Sequence, residues 1–150
     1  MGQRLEMLLE EVQRPARYTG GEVNAIKKEW RPGRTAFCFA FPDTYEVAMS
    51  HLGMKIIYEA VNAREDMLCE RVVMPWADMA DGLKAAGIPL YSLESRRALS
   101  EFDAVGFTLQ YEMSYTNILA MLDLGGIALR SGQRGERAPF VIAGGPCAAN

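Results

Sequence analysis

The chain has 150 residues, 49% of them hydrophobic and 23% charged, with a formal net charge of -3. That length and balance suit one globular domain with a real core. The charge gives no general pull toward nucleic acid or anionic membrane, no apolar run reaches the roughly 18 residues of a membrane helix, and the three cysteines lack CxxC spacing, so neither a disulfide framework nor a zinc site is expected.

Residues 1–14 space Leu5, Leu8, Leu9 and Val12 between glutamates. This predicts an amphipathic helix rather than a signal peptide, which needs an unbroken apolar core. Arg14-Pro15 ends that pattern, and "RPARYTGGEVN" and "EWRPGR" read as turns. Residues 1–33 are therefore read as an N-terminal helix and extension, and 34–150 as an α/β domain. Thr35 to Phe41 is apolar on both faces, as a central strand of a covered parallel sheet should be. "FPDTYEVAMSHLG" follows as a polar loop. It carries the only histidine, His51, two residues before Gly53. A helix then fits Leu52 to Asn62, with Leu52, Ile56, Ile57, Ala60 and Val61 as its buried face.

"MLCERVVMP" reads as a second strand. "WADMADGLKAAG" reads as a helix that buries Trp76, Met79, Leu83 and Ala86 and stops at Gly87. "IPLYSLES" is a short extended piece. "FDAVGFTLQ" is a third strand, "YTNILAMLDLGG" a helix with a Gly-Gly stop, and "APFVIAGGP" a fourth strand entering a turn. Cys38, Cys69 and Cys147 fit reduced thiols of a cytoplasmic protein. The methionines read as packing, and Lys27-Lys28 and Arg96-Arg97 as solvated faces.

Strands alternating with helices predict a doubly wound parallel sheet with helices on both faces. The expected strand order is 2-1-3-4, with strands near 35–41, 68–74, 104–109 and 139–143. Ligands of such sheets bind outside the carboxyl ends of the strands. Three turn-rich loops fall there, at 42–53, 108–114 and 144–149. One cleft is therefore expected around Tyr45, Ser50, His51, Gly53, Thr108, Leu109, Gln110, Gly144 and Gly145. Gly53 and the Gly144-Gly145 pair would let backbone approach an anion closely. Each glycine is equally readable as an ordinary turn former, Thr108 as a helix cap, and His51 as a cap or surface residue. No GxGxxG, P-loop or Ser/His/Asp arrangement is present, so no catalytic dyad is named.

The strings "RPARYTGGEVN", "FPDTYEVAMSHLG", "LCERVVMPW", "PLYSLESRRALSEFDAVGFTLQYEMSYTNIL" and "VIAGGPCAAN" resemble the N-terminal region of a cobalamin-binding-type radical SAM family (YgiQ-like). The resemblance covers nearly everything after about residue 14. It implies a flavodoxin-like, Rossmann-like B12-binding-type domain preceding a radical SAM barrel. It also implies possible cobalamin binding. S-adenosylmethionine and a [4Fe–4S] cluster would belong to that barrel only, whose CxxxCxxC motif this chain lacks. The chain is therefore expected to be a piece of a longer protein, lacking the last strand of its sheet and not catalytic alone.

The resemblance is incomplete at the cobalamin signature, DxHxxG. Here Asp43 and His51 stand eight apart, so Asp43 is not spaced to hold His51 locally, and His51 is not expected to ligate cobalt. The Ser-x-Leu element resembles Thr108-Leu109, and the distal Gly-Gly resembles Gly144-Gly145. Expected partners are the barrel of the same longer chain and a second copy, with no nucleic acid or membrane. A dimer would form through an open strand edge at 140–143 or through the N-terminal helices. Two other readings stay open: a module that binds no cobalamin and positions substrate or partner, and an independent flavodoxin-like or nucleotide-binding protein.

Overall fold

A computed structural model describes residues 2–148. Met1 of the expected first helix, Ala149 of the expected last loop, and Asn150 lie outside the described residues. Four strands form one parallel sheet: β1 (Thr35–Phe41), β2 (Met67–Val73), β3 (Ala104–Thr108) and β4 (Phe140–Gly144). Their order is β2-β1-β3-β4, the expected one. Phe39 aligns with Arg71 on one side and Gly106 on the other, and Gly106 aligns with Ile142. The fold is α/β and flavodoxin-like, with its strand order reversing between β1 and β3.

Among the described residues five α-helices accompany the sheet: α1 (Gly2–Glu11), α2 (Tyr45–Ser50), α3 (Leu52–Asn62), α4 (Ala77–Ala86) and α5 (Ser114–Leu124). On one face α1, α4 and α5 pack over Ala36, Cys38, Ala40, Leu68, Val72, Val105 and Phe107. Leu5, Leu8 and Leu9 of α1 are buried there, and Gly82 of α4 leaves the space that Leu8 fills. Each fully buried leucine or valine in this layer contributes about 1.5–3 kcal/mol. On the other face Met54 and Tyr58 of α3 and Ala48 of α2 cover Phe39, Phe41, Cys69 and Val73. These belong to β1 and β2. Over β3 and β4 that face is bare, and Phe140 and Ile142 are 78% and 54% exposed.

Helices therefore lie on both faces, as expected, but on one face they reach only over β1 and β2. Right-handed crossovers explain why. From β1 to β2 the chain moves one way across the sheet and places α3 on one face. From β2 to β3 and on to β4 it moves the other way and places α4 and α5 on the opposite face.

Local differences have similar causes. The loop expected at 42–53 contains the short helix α2, entered from an extended Thr44. Trp76 lies before α4 and is 53% exposed, whereas Met79 and Leu83 are buried as expected. Gly87 stops α4 in the left-handed conformation, at φ 62°. The 88–95 segment forms no strand, only a single antiparallel bridge from Tyr91 to Ala98. The face expected to be buried on α3 is not the buried one: Met54, Tyr58 and Asn62 face the sheet, while Leu52 and Ile56 are 68% and 57% exposed. Lys28 is not a solvated cation, since its Nζ donates to the carbonyls of Arg64 and Met67.

The outer edge of β2 is closed by side chains rather than by another strand. Asn62 bonds both the N–H and the carbonyl of Cys69, each at 2.9 Å. Glu94 accepts the Arg71 N–H at 2.7 Å, and the Leu93 N–H donates to the Arg71 carbonyl at 2.8 Å. The Arg71 guanidinium is itself buried, paired with Glu94 at 2.6 Å and Glu22 at 2.9 Å, and lies over the Tyr58 ring. Beside it Glu70 accepts from Trp30, Ser92 and Ser95. These bonds fasten the extension at 18–34 and the loop at 91–97 to the sheet.

Candidate functional site

A cavity of about 430 Å³ opens where the strand order reverses. Its floor is Gly106 and Ile142 on the bare half of the sheet with Phe37 and Phe39 of β1 beside them, and Ile57 of α3 is one wall. Its rim at the carboxyl ends of the strands is His51, Gly53, Thr108, Gln110, Gly144 and Gly145. Six of the nine sequence-selected residues thus share one cleft. Leu109 lies behind the rim, where its N–H donates to the Gly144 carbonyl and its carbonyl accepts from Cys147. Tyr45 and Ser50 do not line the cavity. Tyr45 turns to the opposite flank of α3 and donates to Glu22 at 2.8 Å. Burial, then that hydrogen bond, pushes its phenol up to about 12. The exposed Ser50 hydroxyl donates to the carbonyl of Val47 in its own helix.

His51 caps α3. Its Nδ1 accepts the Met54 N–H at 3.1 Å, and its ring leans on Phe41 with 5.2 Å between centroids. An accepting Nδ1 places the neutral ring's proton on Nε2. Ligation of a metal through Nε2 would require moving that proton and breaking the cap. Asp43 does not touch His51. Its carboxylate accepts from the Thr44 N–H and the Tyr111 hydroxyl, tying the loop after β1 to the loop after β3. Asn117 adds a second tie, donating to the Pro42 carbonyl at 2.9 Å.

The Thr108 hydroxyl accepts from the Gln110 amide at 2.5 Å and keeps its own O–H to donate. Gly145 sits at φ 110°, and a Cβ there would lie 2.6 Å from the Leu109 carbonyl oxygen. Gly144 is different: a Cβ there meets nothing within 4 Å. A side chain at Gly144 would project into the cleft. At Gly106 a Cβ would come within 2.5 Å of the Phe37 ring, which lies across the strand and flattens the floor.

These features suit a ligand with a flat apolar part and a polar edge. Among the described residues no group of three or more His, Cys, Asp or Glu is placed to hold a metal. The thiols of Cys38 and Cys69 are buried in the sheet, and burial raises both. The floor residues were not selected from sequence. Gly106, inside a strand, is the signal that could have found them, since a strand glycine marks close approach of another group.

A family model described as "Radical SAM proteins, N-terminal" matches residues 53–150. The chain belongs to the radical SAM N-terminal family. No curated protein and no solved structure matches it. The matched span runs from Gly53 at the start of α3 through the Gly144-Gly145 turn, so it contains every rim residue except His51. For this radical SAM N-terminal domain, among the described residues no helix is long and apolar enough to cross a membrane.

Proposed function

We propose that this radical SAM N-terminal domain binds cobalamin or a related ligand at the carboxyl ends of β1, β3 and β4, as an accessory to a radical SAM barrel in a longer chain. The supporting observation is the cleft itself: an apolar floor at the reversal of strand order, rimmed by Thr108, Gln110 and a Gly144-Gly145 turn. The Phe37, Phe39 and Ile57 side chains would take an apolar ring of the ligand and exclude water from it. The Thr108 hydroxyl and Gln110 amide would bond its polar edge, and Gly144 would leave it room. Bound cobalamin would supply a cobalt centre for methyl or single-electron transfer. His51 keeps its cap and contributes no cobalt bond. S-adenosylmethionine and the [4Fe–4S] cluster belong, in this reading, to the barrel.

The test is equilibrium dialysis against hydroxocobalamin, with visible spectra, on the wild-type chain and Gly144→Leu. Saturable uptake near one equivalent, weakened at least tenfold in the variant, is the expected result. No retention at 100 µM ligand would sink the cobalamin reading and leave a module that positions substrate or partner.

A further inference from the structure

One nitrogen of His51 is not used by the fold. Nδ1 is held as an acceptor by the Met54 N–H, so the neutral ring carries its proton on Nε2. No group among the described residues accepts from that Nε2–H, and no polar side-chain atom among them is buried without a partner. The Nε2–H is therefore open, and the ring that bears it lines the cleft. Gly53 makes this placement possible. A Cβ there would lie 2.9 Å from Cε1 of the ring and 3.3 Å from Nδ1, so a side chain at 53 would push the imidazole off its cap. The Thr108 O–H is a second open donor on the same rim. Among the described residues no side chain lining the cleft carries a formal charge.

We propose that His51 is a ligand-binding residue whose Nε2–H recognises an uncharged acceptor oxygen, a ring carbonyl or a carboxamide. This rests on the reading of the cleft as the ligand site. The helix cap and the recognition are one device. Because the backbone of α3 holds Nδ1 as the acceptor, Nε2 presents a donor and nothing else. A ligand edge bearing an N–H would set two donors against each other. A bare apolar edge would expel water and leave the Nε2–H without a partner. An anion would be buried over Phe37, Phe39 and Ile57 with no counter-ion. A carbonyl or carboxamide oxygen meets all three limits, and its two lone pairs suit His51 and Thr108 together.

Capping alone does not call for a histidine. Asn, Asp, Ser or Thr at this position would accept the Met54 N–H with a shorter side chain. That difference supplies two variants. His51→Asn keeps an acceptor for the cap and removes the Nε2–H from the rim. Gly53→Ala keeps the histidine and displaces its ring, and alanine suits a helix better than glycine, so α3 should persist.

The test is NMR titration of the full chain with two flat probes that differ by one carbonyl, 1-indanone and indane. The wild type should hold 1-indanone about three- to tenfold more tightly, the difference made by one hydrogen bond between neutral groups. At saturation with 1-indanone the His51 Hε2 proton should exchange more slowly with water and its signal should move downfield. Indane should leave it unchanged. His51→Asn and Gly53→Ala should each at least halve the preference, with circular dichroism and the affinity for indane retained. An Nδ1–H tautomer in the nitrogen spectrum of the free chain overturns the proposal. So do equal affinities of the wild type for the two probes, an unchanged preference in His51→Asn, or no binding of 1-indanone up to about 10 mM. Hydroxocobalamin separates this proposal from the reading beneath it: if it is not retained while 1-indanone behaves as stated, cobalamin falls and the role of His51 stands.

Discussion

Because Nδ1 of His51 accepts the Met54 N–H, replacing the ring with Ala removes a helix cap. His51→Ala is expected to cost about 1 kcal/mol and lower the melting temperature by about 3 °C, measured by thermal circular dichroism. If cobalamin binds, the same variant should leave the visible bands in place. A large shift of the cobalt bands would show ligation. The two glycines of the rim separate strain from exclusion. Gly145→Leu should destabilise the fold, since φ 110° and the Leu109 carbonyl both oppose a side chain. Gly144→Leu should leave the unfolding free energy from urea denaturation within about 0.5 kcal/mol of wild type while filling the cleft. Individual rim residues were legible because chemistry and turn type are local properties. Tyr45 and Ser50 were misplaced because the short helix α2 turns both away, and six residues are too few to display a period.

At the scale of elements, Asn62 and Arg71 decide whether β2 keeps a closed edge. Asn62→Ala strands the buried N–H and carbonyl of Cys69, at a cost of about 2 kcal/mol or more. Arg71→Met leaves the Glu94 carboxylate buried without its counter-ion, and about 3–5 kcal/mol is expected. Urea denaturation checks both, and a loss under 0.5 kcal/mol in either would mean that the edge does not depend on them. α3 was legible as a helix but not as to which side it buries. Periodicity ranks faces by apolarity. In α3 the most apolar faces are the ones its own sheet leaves uncovered.

At the scale of the whole molecule, the strand order was legible because β1 is apolar on both faces, which puts it inside the sheet, and because strands and helices alternate. The unequal covering of the two faces needed the order and the crossover hand together, and alternation of elements alone supplies neither. The closed edge of β2 was not legible at all. Its fasteners, Lys28, Asn62 and Glu94, come from three separate segments, and no local pattern links them.

That closed edge has a consequence for hydrogen exchange. Outward-facing amides of an edge strand ordinarily meet water and trade their protons quickly. At Cys69 and Arg71 those protons are held by Asn62 and by Glu94, which is itself buried. They should exchange as slowly as amides at the centre of the sheet, through global opening only. The amides of Val141 and Ala143 face outward from β4, which has no neighbour beyond it among the described residues. They should exchange orders of magnitude faster. Deuterium uptake followed by NMR should therefore find one slow margin and one fast margin on the same sheet, and equal rates at the two would show that the β2 fasteners open in solution.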